Sequence, residues 1–269
     1  MLDHRDLDEV SLFTPENLLR EARRQKSMSK GRIPRVCLLD PDGDIVRYLV
    51  RTRRAILNKS WACYHTEMYD YRLGDRLIGI VGNAVGSPFA VLVAEEMFAS
   101  GCTLMLSLTS AGRISERSNL PRFLLISEAL RDEGTSNRYL ARGSSCPINA
   151  GLLESLSAAL GDSPLPLGLG TSWTTDAPFR ETASAIRRAR KLGADCVEME
   201  ASALYAFAHA RQRDVVCMAH VTNSMAQSKG DFEKGAEGGS IDSLNLVDFI
   251  LRVLHAQVFA GRTPRQSKA

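Results

Sequence analysis

Two glutamates bracket a methionine at Glu198-Met199-Glu200, between a short apolar entry over residues 194–197 and an alanine-rich run from Ala201. A carboxylate drawn into apolar surroundings is costly unless it meets donors. Neighbouring hydroxyls of a sugar are such donors, and one carboxylate accepts two of them side by side. Leu204, Phe207 and Ala208 have helical spacing, so the stretch reads as a strand handing over to a buried helix. Acids there also suit an ordinary helix start, where they complement the positive end of the dipole. Residue types and spacing alone leave both readings open.

Four glycine-bearing or polar stretches add to this chemistry: residues 39–44, 82–88, 109–113 and 222–226. Each follows a predicted strand. In open α/β folds ligands collect at the carboxyl ends of the strands. Asp40, Gly86, Ser110, Ala111, Gly112 and Asn223 are therefore expected to share one site with the Glu-Met-Glu stretch.

The elements that must position these groups alternate between buried strands and helices. Thr14-Pro15-Glu16-Asn17 opens a helix to about Gln25, with Thr14 as its cap. Strands are expected at 35–39, 61–72, 77–81, 102–108, 123–126, 165–170 and 215–221. Helices are expected at 47–57, 89–99, 151–160, 183–191 and 244–258. Residues 131–136 and 171–176 read as polar loops. This order predicts a three-layer α/β/α domain with a mixed, largely parallel central sheet. The boundaries are a helical, basic N-terminal extension (1–34), the main domain (35–258) and a flexible tail (259–269).

Composition excludes several classes. A net charge of +3 is too small to argue for nucleic acid, and the early arginines lack the aromatic interleaving of a base-reading surface. No apolar run approaches the roughly 20 residues needed to cross a bilayer, and Met1–Asp6 has no secretory apolar core. The six cysteines are scattered among apolar neighbours with no CxxC pair, as in a reduced, cytoplasmic protein without a metal.

Taken together, Glu198-Met199-Glu200, the turn and helix over 81–99, the segment 129–136 and Thr174-Thr175-Asp176-Ala177-Pro178-Phe179 resemble the nucleoside phosphorylase superfamily, the purine and uridine phosphorylases with the nucleosidases. The resemblance runs from about Val36 to His255. It implies that Met199 packs under a ribose, that Glu200 takes the 2′ and 3′ hydroxyls, and that Glu198 shapes the site. It also implies that Asp176 and Phe179 lie beside the base, and that the chain forms a homo-oligomer, dimer or hexamer, whose subunits lend residues such as Thr66 or Arg138 to each other.

The departures from the family pattern concern the nucleophile. Three phosphate-binding arginines of the family align with Gly43, Ser107 and Thr66. Losing three charge-assisted contacts, each worth roughly 1.5–3 kcal/mol, would weaken phosphate binding about a thousandfold or more. Arg47 and Arg113 are the shifted substitutes at hand. The acid that protonates a departing purine is replaced by Asn223, whose amide does not titrate; His220 is the other proton source or a core residue. The expected function is cleavage of a nucleoside's N-glycosidic bond, with no cofactor and with phosphate as co-substrate at most. Water, oriented by Glu67 or Glu198, is the other nucleophile. The alternatives are ordinary phosphorolysis through shifted arginines and a non-catalytic nucleoside sensor.

Overall fold

The computed structural model describes residues 7, 9–225 and 229–260, the last five by their backbone alone. The expected tail lies outside these residues from 261 onward, as does Ala226.

In chain order the elements are α1 (Pro15–Gln25), β1 (Val36–Asp40), α2 (Asp44–Arg51), β2 (Ala55–Leu57), β3 (Met68–Leu73), β4 (Arg76–Gly82), α3 (Ser87–Ala99), β5 (Leu104–Arg113), β6 (Phe123–Asp132) and β7 (Ser145–Pro147). There follow α4 (Ala150–Ala158), β8 (Leu167–Thr175), α5 (Ala183–Lys191), β9 (Cys196–Glu198), α6 (Ala201–Arg211), β10 (Asp214–Asn223) and α7 (Ser240–Ala260). One mixed sheet holds all ten strands in the order β10-β6-β8-β9-β5-β1-β4-β3-β2, with β7 on β6. Its centre, β4-β1-β5-β10, is parallel, as is β6-β8-β9. The antiparallel pairings join these blocks and form the β2 and β7 edges.

Because β10 pairs with both β5 and β6, the strands β5, β10, β6, β8 and β9 close into a ring. Helices α1, α3 and α6 pack in one group and α2, α4 and α7 in another. The main core fills the space between sheet and helices, with β1 buried along its whole length. A smaller cluster around Trp173 and Val197 lies under α5. All six cysteines are free and buried within these layers. Among the described residues no helix is long and apolar enough to cross a membrane.

Several elements differ from the sequence expectation. The helix expected at 47–57 is α2 followed by the edge strand β2. It stops at Thr52 because Arg53 takes a left-handed φ of 55° and Arg54 N–H returns to Leu49 C=O. The strand expected from 61 begins only at Met68. The Asn58 side chain folds residues 58–61 into a turn by accepting from Ser60 and Trp61 N–H, and Lys26 occupies the carbonyls of Ala62 and Cys63. The four polar stretches 109–113, 131–132, 171–175 and 222–223 are the final residues of β5, β6, β8 and β10. They stay extended because each finds a strand partner far away in sequence, as Ala111 does with Val221 and Gly112 with Val197.

Candidate functional site

Helix α6 starts where β9 ends, and the two glutamates at that junction do different work. Glu198 is buried; its Oε2 accepts N–H of Glu200 and Ala201 at 2.7 Å each, and its Oε1 accepts the Thr174 hydroxyl at 2.5 Å. It therefore serves the first turn of α6 as an anchored carboxylate. Glu200 is equally buried but poorer in donors. Its Oε1 accepts Gly86 N–H at 2.7 Å, and its Oε2 has no hydrogen-bond partner among the described residues. Burial, aided by the charge of Glu198, lifts the Glu200 carboxyl to about 8. Burial raises the Glu198 carboxyl as well, against the pull of its three donors. Glu198 thus secures the helix start, and Glu200 keeps one oxygen without a partner among the described residues.

The turn opposite is tied to this junction twice. Gly86, at φ 93°, aims its N–H at Glu200, and Ser87 Oγ donates to Met199 C=O at 2.7 Å. A side chain at Gly86 would strain a backbone region that favours glycine.

A cleft of about 440 Å³ opens here. Glu198, Met199 and Glu200 form one wall, and Ser110, Ala111 and Gly112 at the end of β5 form another. Asn223 from the end of β10 and the exposed Phe179 also line it. The sheet thus brings together most of the residues selected from the sequence. Two lie elsewhere. Asp40 sits behind the cleft in a small recess, accepts Val46 N–H at 3.0 Å, and is raised to about 7 by burial. Asp176 is exposed, does not line the cleft, and accepts Gly134 N–H at 2.9 Å, bracing the turn after β6.

The other candidates for catalysis are also placed. His220 stacks on Phe123 at 4.5 Å and accepts Arg122 Nε–H at 2.9 Å; burial and Arg122 lower it to about 4, so it is neutral near pH 7. Glu67 accepts the Tyr69 hydroxyl away from the cleft, and Thr66 accepts the Trp61 indole N–H. Arg47 is engaged by Asp44, the Asp42 carbonyl and Asn83, and Arg113 by the carbonyls of Ser115 and Arg117. Neither arginine lines the cleft, and no Arg, Lys or His is found among the described residues that do.

Three groups lie outside the site residues expected from the sequence. Glu181 lines the cleft half-buried, its carboxyl without a hydrogen-bond partner among the described residues, and burial raises it to about 7. Asp42 lines the cleft and accepts Ser110 N–H at 2.9 Å through Oδ2. Lys234 reaches that same oxygen at 3.1 Å and Asp44 at 2.5 Å. Nothing local marks Lys234, which lies 190 residues from Asp44. Phe179 and Phe232 stand at the cleft as exposed aromatic faces.

Comparison with known proteins agrees with this architecture. A purine nucleoside phosphorylase of the DeoD type from Shewanella oneidensis is 26% identical over 152 residues, 56% of this chain and 64% of that protein. The matched stretch thus spans less than two thirds of that relative's length. The purine nucleoside phosphorylase of Toxoplasma gondii in complex with immucillin-H shares the fold with a TM-score of 0.67 at 16% identity, covering 82% of this chain and 90% of that one. The uridine phosphorylase of Vibrio fischeri ES114, complexed with 6-hydroxy-1-naphthoic acid, gives a TM-score of 0.67 at 18% identity over 87% and 99% of the two chains. The family described as the phosphorylase superfamily matches residues 44–252, well over half of the sequence, and the chain belongs to it.

Proposed function

We propose that the chain cleaves the N-glycosidic bond of a nucleoside and uses water as the acceptor. The nucleoside part of this reading is supported by family membership and by the relatives' names, purine nucleoside and uridine phosphorylase. The observation that carries the choice of water is the charge of the cleft. Asp42, Glu181, Glu198 and Glu200 line it, and no cationic side chain among the described residues does. A phosphate dianion entering such a cleft gives up its hydration without charge-assisted partners and meets acids instead. An electron-poor sugar gains from the same acids. As the base departs, positive charge grows on C1′ and the ring oxygen, and carboxylates held in place stabilise it.

Each group has a role in this reading. Glu200, through its unpartnered Oε2, accepts the sugar hydroxyls, and Met199 supplies an apolar surface beneath the ring. Asp42, fixed by Ser110 N–H and Lys234, orients the attacking water and takes its proton. The C1′–N bond breaks and a C1′–O bond to the water oxygen forms. Glu181 protonates the departing base, a task for a carboxyl that still holds its proton near neutrality. Asn223 already accepts Met225 N–H and donates to the Thr222 hydroxyl, so it fixes the end of β10 and offers its remaining N–H to the base. Asp176 supports the turn carrying Glu133, which accepts the Ser202 hydroxyl in α6.

The phosphate-dependent reading is favoured by one specific fact, the DeoD-type name of the Shewanella relative. A single assay separates the two. Purine and pyrimidine nucleosides are incubated with the protein in phosphate-free buffer and again with phosphate, and free base and sugar products are measured. Equal base release with free pentose is the expected outcome. Base release only with phosphate, with sugar 1-phosphate as product, would reject the hydrolytic reading; intact nucleoside that raises the melting temperature would identify a sensor.

A further inference from the structure

We infer that Asp42 is a built-in anion: its carboxylate occupies an oxyanion site formed by Ser110 N–H and Lys234, and thereby keeps free phosphate out of the cleft. One oxygen, Oδ2, receives both donors, at 2.9 Å from Ser110 N and 3.1 Å from Lys234 Nζ. A main-chain N–H and an ammonium converging on one point are the donors that a tetrahedral oxyanion seeks. The point is partly sheltered, since the Lys234 side chain is 17% exposed and that of Asp42 27%. It also borders the cleft, because Asp42 and Ser110 line both the cleft and the recess behind it, where Lys234 lies.

The surrounding charges give the direction of the effect. Lys234 pairs with the carboxylates of Asp42 and Asp44 and Arg47 with that of Asp44, two cations for two anions; Asp40 behind them is buried and raised to about 7. Removing the Asp42 carboxylate leaves two cations against Asp44 and frees Ser110 N–H. A phosphate, sulfate or arsenate ion then finds the hydrogen bonds that Asp42 had held. Asp42 is in this sense a specificity-determining residue: it trades an anionic acceptor for water. Only that last statement rests on the proposed hydrolysis; the anion site itself does not.

The test is inorganic phosphate titrated calorimetrically into the full chain at fixed ionic strength, without nucleoside, so a failed cleavage assay leaves it readable. Asp42→Ala should bind phosphate at least about tenfold more tightly than the unaltered protein, the value of one charge-assisted contact. The double variant Asp42→Ala with Lys234→Met should lose the gain. Asp42→Ala binding no better than the unaltered chain overturns the inference. So does a gain that survives the loss of Lys234, which would place the ion elsewhere. If thermal melting shows that Asp42→Ala does not fold, Asp42→Asn keeps the shape without the charge. Its phosphate affinity should rise at least about threefold, and an unchanged affinity overturns the inference.

Discussion

A carboxylate's role here is set by how many donors it holds. Burial raises both carboxyls; Glu198 has three donors that oppose the rise, whereas Glu200 has one, is raised to about 8 and keeps a proton until hydroxyls or alkali draw it off. Glu200→Gln should therefore lower kcat/KM for the proposed nucleoside cleavage by about a hundredfold or more, through loss of the charged acceptor. Steady-state kinetics that match the unaltered protein would remove Glu200 from the site. Two titrations bound the pH profile. Under the proposed roles activity should rise as Glu200 ionises toward about 8 and fall as Glu181 loses its proton above about 7, with a maximum between about 7 and 8. Glu181→Gln should abolish the falling limb and cut kcat by about a hundredfold with KM little changed. The Glu-Met-Glu stretch stood out because acids beside an apolar run are conspicuous, but only its family resemblance, not its residue types, chose between a helix start and a sugar site. Glu181, Asp42 and Lys234 did not stand out, since their meaning comes from contacts and burial that no local pattern encodes.

Elements with local punctuation were legible in the sequence. The Thr14 cap of α1 accepts Asn17 N–H as its spacing suggests; the structure adds a second cap, Asn149, which accepts Gly151 N–H at the head of α4. Asn149→Ala should cost about 1 kcal/mol, read as a lowered urea midpoint with unchanged m-value. The strand ends that build the cleft were hidden. Their serines, threonines and glycines look like loop residues, yet pairing across the sheet holds them extended up to Arg113, Asp132, Thr175 and Asn223. Polarity there belongs to the cleft rather than to a turn. At the facing turn, Gly86→Ala places a side chain at φ 93° and disturbs the N–H that holds Glu200. A loss of about 1–3 kcal/mol in stability with a raised KM is expected; wild-type values for both would show that the turn tolerates a side chain.

For the whole molecule, buried acids make stability depend on pH with a definite sign. Asp40 is raised from 3.8 to about 7, Glu181 from 4.5 to about 7 and Glu200 from 4.5 to about 8, each first by burial. The folded chain holds these protons where the unfolded chain would release them. Their contribution is complete below about 4 and is lost as pH rises through 7 to 8. His220, lowered from 6.5 to about 4, acts in the opposite sense by destabilising the fold as it becomes acidic below 6.5. Above 6.5 only the carboxyls act, so the urea midpoint should fall between about pH 6.5 and pH 8.5. A flat or rising midpoint over that interval would show that these acids are ionised in the folded chain.

The ring of β5, β10, β6, β8 and β9 has a consequence for motion. A circle of strands has no loose margin from which to peel apart, whereas β2 hangs at the outer border with Ile56 bare to solvent. Deuterium should therefore reach the amides of β2 first and those of β10 and β6 last, by orders of magnitude in time. The floor beneath a bound sugar would then be the most slowly opening part of the protein, and substrate would have to enter and leave through the side chains above it.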